Sequence, residues 1–202
     1  MDSKPGNNIV RLTGTAAGRP TLSHESRGEA FYRLPLTVRR LSGTEDELPL
    51  LLRRRQLEAL ELQEADKLCV TGELRSFNNR SGEGARLVLS VFVRTLQFCD
   101  GPDENRVELR GALCRPPTLR RTPMGREICD LMLAVNRPYG RSDYLPCICW
   151  GAPAREFSLC PVGTLLQLTG RLQSRPYVKM TADGPQEKIA YEVSATGIER
   201  MP

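Results

Sequence analysis

The chain of 202 residues holds one histidine, His24, one tryptophan, and only 5% aromatic residues in all. A lone histidine cannot serve both a nucleophile couple and a metal cluster, no GxSxG turn is present, and the carboxylates form no grouped pair. The residue sets of nucleophilic and acid–base catalysis are therefore missing, and no enzyme is expected. No apolar run approaches the ~20 residues that cross a bilayer, and the start, MDSKPGNNIV, lacks a signal peptide's hydrophobic stretch. A soluble, cytoplasmic protein without membrane contact is expected. The seven cysteines include no CxxC pair, whereas structural zinc usually takes two close-spaced ligand pairs, so no metal, cofactor or redox role is expected. Cys147 and Cys149 lie two apart in a strand-like run and are read as small hydrophobes packed on one side. Lysine is scarce too: 25 of the 29 basic residues are arginine. Arginine pairs with phosphate bidentately and stacks on flat rings, and the net charge of +5 suits a polyanionic partner.

What the sequence does contain is a repeat. Shifted by 97 positions, residues 8–52 match 105–149 at 16 of 45 places without a gap, among them Gly14/Gly111, Leu36/Leu133, Arg40/Arg137, Asp46/Asp143 and Pro49/Pro146. At a shift of 98 the match resumes with Leu68/Leu166, Gly72/Gly170, Leu74/Leu172 and Ser76/Ser174. The chain reads as two copies of one domain, residues 1–100 and 101–202, joined near Cys99-Asp100-Gly101-Pro102-Asp103-Glu104.

In the second copy, Val107, Leu109, Gly111 and Leu113 alternate with Arg106, Glu108 and Arg110, the period-two mark of a half-buried strand. Similar patterns predict strands at 105–114, 128–137, 145–150, 164–173 and 188–198, with a short helix at 152–158. Tyr191 follows the inward phase of the last strand with Ile189 and Val193 and is assigned to the core. In the first copy the strands fall near 8–16, 31–40, 48–53, 67–76 and 86–96. Its helix, on QLEALELQEA behind Arg53 to Arg55, is expected to be longer. Five strands with one helix after the third is the order of an OB-fold, so the fold is expected to be all-β, two tandem five-stranded OB barrels. Gly111 and Gly170 fall where a small barrel bends sharply.

The stretches NRVELRGALCRPP, CDLMLAVNRPYGRSDYLPCICWG, VGTLLQLTGRLQSRPY and YEVSATGIE resemble the bacterial single-stranded DNA-binding proteins over nearly all of 105–199. The resemblance implies sequence-tolerant, non-enzymatic binding of single-stranded DNA in replication, recombination or repair, hence a nucleoid-associated protein. It places Tyr139, Tyr144, Trp150 and Tyr177 where the family carries base-stacking aromatics. Around them lie the groove candidates Arg115, Arg120, Arg121 and Arg126 in the loop after the first strand, Arg137 and Arg141 around the next loop, and Arg171, Arg175 and Lys179 around the fourth, the loop after strand four that also holds Tyr177.

The first copy departs from this pattern, with Ser42, Glu47, Arg53 and Asn79 in place of the four aromatics. It is expected to be structural, a subunit interface or a docking surface, with Phe31, Tyr32 and Phe77 as an alternative, displaced platform and Phe31 better placed in the core. The family's proteins usually end in an acidic tail that recruits replication partners, whereas this sequence stops at GIERMP, which puts recruitment by that route in doubt. Two barrels per chain resemble family members that form homodimers. A primosome-type or RNA-binding OB protein and a protein-binding adaptor are the alternatives.

Overall fold

A computed structural model describes residues 6–79, 87–181 and 184–202. They divide into two compact units. The N-terminal unit comprises Ile9–Arg75 and Leu89–Arg106; the C-terminal unit comprises Val107–Pro202, Ser76–Val88 as far as described, and the described residues up to Asn8. Each unit is built on one copy of the repeat, but the stretch from Ser76 groups with the second copy, unlike a simple division at residue 100.

The N-terminal half runs β1 (Asn8–Ala16), β2 (Thr21–Ser26), β3 (Glu29–Arg39), β4 (Glu45–Arg53), α1 (Arg54–Glu58), β5 (Lys67–Asn78) and β6 (Leu87–Phe98). Its strands lie in the order β2-β3-β4-β6-β5-β1, and β1 returns to β3 at Thr15↔Thr37. The C-terminal half repeats the scheme with β7 (Glu104–Leu113), β8 (Thr118–Arg121), β9 (Glu127–Asn136), β10 (Ser142–Trp150), α2 (Ala152–Phe157), β11 (Leu165–Thr181) and β12 (Gly184–Arg200). Here the order is β7-β11-β12-β10-β9-β8, and β7 returns to β9 at Ala112↔Ala134 and Leu113↔Leu133. β4–β6 and β10–β12 are the parallel pairs.

Alternation sets the two faces of each strand. In β10 the side chains of Asp143, Leu145, Cys147 and Cys149 are buried while Tyr144 and Trp150 are exposed. The core of the N-terminal unit is made of such alternating leucines, Leu12, Leu34, Leu36, Leu48, Leu50, Leu68 and Leu74; that of the C-terminal unit uses Leu109, Leu131, Leu133, Leu145, Leu168 and Leu172. Each buried leucine contributes roughly 1.5–3 kcal/mol. The repeat's glycines stand where strands cross most closely: a side chain at Gly111 would meet the Ala134 carbonyl, and one at Gly170 the Ser194 carbonyl.

Several expectations are corrected. The first-copy strand expected at 86–96 runs on to Phe98; residue 86 lies outside the described residues. β8 is a strand where a loop was expected, so Arg120 and Arg121 stand on a strand. β11 runs through Tyr177 and Lys179, which were expected around a loop. The first copy's helix is short: none of its residues is buried and Leu57 is only half-buried, whereas α2 buries Ala154 and Phe157. Tyr191 is only half-buried and Ile189 is exposed, so that end of β12 stands off the core. Phe31, half-buried, stacks on His24 at 4.9 Å between ring centroids. Cys69 and Cys99 form a disulfide in the N-terminal unit, against the expectation that the cysteines have no redox role. Among the described residues no helix is long and apolar enough to cross a membrane, and no group of three or more His, Cys, Asp or Glu is placed to hold a metal ion.

Candidate nucleic-acid interface

β10 carries two of the four candidate aromatics on the face turned away from the core. Tyr144 is 48% exposed and Trp150 37%, six residues apart, a span of ~20 Å along a strand. The Trp150 indole N–H donates to Ser194 Oγ at 3.4 Å. The register brings β11 to the same place: Arg171 is opposite Ser194, Gln173 opposite Glu192, Arg175 opposite Ala190 and Tyr177 opposite Lys188. Arg171, Gln173, Arg175, Tyr177 and Lys179 thus alternate away from buried Leu172, on the side of the sheet that carries Trp150. Tyr139 stands alone in the loop before β10, fully exposed and at φ 70°, a left-handed conformation held between Asn136 and Ser142. That loop is closed at its root by the Arg137 N–H donating to the Arg141 carbonyl at 2.6 Å and by Ser142 Oγ donating to Asn136 Oδ1 at 2.9 Å.

The basic candidates separate into engaged and open groups. Arg120 forms a two-pronged pair with Asp130, at 2.6 and 3.0 Å, and this hydrogen bonding raises the guanidinium pKa further. Arg121 reaches Glu127 at 3.2 Å, and Arg175 lies 3.7 Å from buried Glu192, which also accepts a bond from Gln173 at 2.9 Å. Arg137 is turned into the fold, forking onto Asp143, whose side chain has no exposed surface. Arg171 Nε is buried without a hydrogen-bond partner among the described residues. Arg115, Arg126, Arg141 and Lys179 are exposed. Sequence reasoning missed the acidic half of these pairs. The recurrence of Arg40…Asp46 as Arg137…Asp143 was the available signal, since Arg40 also forks onto a fully buried Asp46, at 2.6 Å on both prongs.

The matching face of the N-terminal unit is organised differently. Arg53, at the position of Trp150, sets its guanidinium 5.0 Å from the centre of the Phe92 ring; Arg94 and Arg75 follow at 5.1 and 5.8 Å. Glu29 pairs with Arg53 at 3.4 Å, and Glu73 pairs with Arg94 at 2.9 Å and with Arg75. Three cations therefore crowd one aromatic ring and share two carboxylates, Glu29 and Glu73. Ser42 and Glu47 are exposed; Phe77 and Asn79 belong to the other unit.

With two like units of this topology, an exposed aromatic and basic face on the second, and a matching architecture throughout, known proteins of the same kind are informative. The single-strand binding protein family matches residues 104–201. Single-stranded DNA-binding protein B of Bacillus subtilis (strain 168) is 36% identical over 80 residues, 36% of this chain and 71% of the relative. The single-stranded DNA-binding protein of Oceanobacillus iheyensis is 33% identical over 104 residues, 47% of this chain and 62% of the relative. The crystal structure of wild-type single-stranded DNA binding protein from Thermus aquaticus is similar over 98% of this chain and 95% of that one, at 28% identity and a TM-score of 0.75. The chain belongs to the single-strand binding protein family. It spans 62%, 50% and 48% of the lengths of three curated relatives it matches.

Proposed function

We propose that this protein binds single-stranded DNA without sequence preference and without catalysis, through the outer face of the C-terminal unit. The observation that carries the reading is the register that sets Trp150, Arg171, Arg175 and Tyr177 on one side of the sheet, with Tyr144 farther along β10. Bases stack on exposed rings at about 1–3 kcal/mol each, while cations follow the backbone. Tyr139 supplies a further ring at the rim, and Arg115, Arg126, Arg141 and Lys179 offer exposed charge that forms no ion pair among the described residues. Arg120, Arg121 and Arg137 contribute less, each being held by an acid.

Each unit is read as an OB barrel of five strands, with β2 or β8 added at its edge and the helix between the barrel's third and fourth strands, β4 and β5 or β10 and β11, on the support of the β1–β3 and β7–β9 returns. The N-terminal barrel has a structural role in this reading, since its Phe92 ring is already covered by arginines. A homodimer, a cytoplasmic nucleoid location and service in replication, recombination or repair belong to the same reading. Its test is a fluorescence titration of the full chain with poly-dT, in which the single Trp150 reports contact. Quenching that saturates, weakens with salt at a slope near −0.7 per phosphate neutralised, and resists competition by duplex DNA is expected. Absence of quenching, or equal competition by duplex, would overturn it; an RNA oligomer of the same sequence separates DNA from RNA preference.

A further inference from the structure

We infer that Ser76, a buried residue of β5, is a positioning residue for the Tyr144 base platform. The inference rests on the reading of Tyr144 as a stacking ring. Ser76 groups with the C-terminal unit and meets it with all three of its polar groups. Its backbone N–H donates to Asp143 Oδ1 at 2.6 Å, its carbonyl accepts from Arg137 at 3.2 Å, and its Oγ accepts from the Tyr144 backbone N–H at 2.7 Å. Arg137 in turn forks onto Asp143. The β10–β12 ladder is registered at Cys147↔Val193 and Ile148↔Ser194, so Tyr144 lies ahead of it. On its other side Tyr144 pairs with Ala134 of β9, and the Tyr144 N–H turns instead to the serine hydroxyl.

Two consequences follow from this arrangement. The first is that the backbone of an exposed ring is fixed from a buried side, which lowers the entropy lost when a base settles on it. The second is that a hydroxyl at this point matters separately from the charges, because replacing the Ser76 side chain leaves its N–H and carbonyl bonds to Asp143 and Arg137 in place. The repeat's own Ser76/Ser174 identity is therefore given a physical reason on the Ser76 side.

The experiment is a double-mutant cycle in the full chain, reading affinity for oligo-dT by anisotropy of a labelled strand, with a thermal melt of every variant. Ser76→Ala is expected to weaken binding about fivefold, as for loss of one neutral hydrogen bond, and Ser76→Thr to restore most of it. In a Tyr144→Ala background, Ser76→Ala is expected to add nothing. Equal losses from Ser76→Ala in both backgrounds would show a general structural effect and overturn the inference. So would wild-type affinity of Ser76→Ala beside a weakened Tyr144→Ala. Wild-type affinity of folded Tyr144→Ala overturns the stacking reading itself and the inference with it. If Ser76→Ala melts too early to assay, Ser76→Cys, whose sulfur is a weak acceptor, carries the comparison: it is expected to bind more weakly than Ser76→Thr, and equal affinity of the two overturns the inference.

Discussion

Cys149 and Trp150 are consecutive on β10 and face opposite ways, the thiol 1% exposed and the indole 37%. One strand thus carries a core face and an exposed face at once. Burial penalises a thiolate, and it pushes the Cys149 thiol up to about 12, with Cys129, its partner across the sheet, raised for the same reason. Cys147, beside them in the core, is driven up by desolvation as well. At about pH 8 a thiol of this kind holds roughly one part in ten thousand as thiolate, so it is a poor nucleophile besides being covered. Iodoacetamide should therefore leave Cys147 and Cys149 unmodified in the native protein and label both once denaturant unfolds it, as peptide mapping would read. Labelling of both at the unfolded rate in the native state would contradict their burial. The reading of these two residues as small hydrophobes was available from their spacing in the sequence. The Cys69–Cys99 bond was not, because thirty residues of chain separate the partners and only the return of β6 beside β5 brings them together.

At the level of strands, legibility followed burial. β1, β3, β4, β9 and β10 have one face in the core, and their period-two patterns were visible to within a few residues. β2 and β8 are exposed nearly throughout, so no alternation marks them, and the ends of β11 and β12 extend beyond the core with Val178, Met180 and Ile189 open to solvent. The aromatic candidates were legible by position, but whether an arginine is open or engaged depends on which acid the fold sets beside it, as Asp130 is set beside Arg120 by the pairing of β8 with β9. Glycines in strands carry a different kind of information. Gly170 sits at the register shift between β11 and β12, and a Cβ there would press on the Ser194 carbonyl and the Ala195 Cα, both backbone atoms. Gly170→Ala should cost about 1–3 kcal/mol in urea denaturation, in the range of overpacking. Full stability of that variant would mean that the crossing is looser than described.

For the whole molecule, the duplication kept the architecture and let the faces diverge. Trp150 on Ser194 in one unit corresponds by register to Arg53 on Phe92 in the other: the aromatic has moved one strand over and its former place holds a cation. The C-terminal unit leaves its ring exposed; in the N-terminal unit the ring lies beside guanidiniums that pair with Glu29 and Glu73. The central claim is that the binding energy is concentrated in the C-terminal unit, and the same repeat position in each copy tests it most directly. Tyr144→Ala and Glu47→Ala, each in the intact chain and checked by thermal melt, should be titrated with oligo-dT side by side. The account predicts a loss of about 1–3 kcal/mol for Tyr144→Ala and little change, or a slight gain from removing a negative charge, for Glu47→Ala. Equal losses at the two positions, or full affinity in a folded Tyr144→Ala protein, would contradict it.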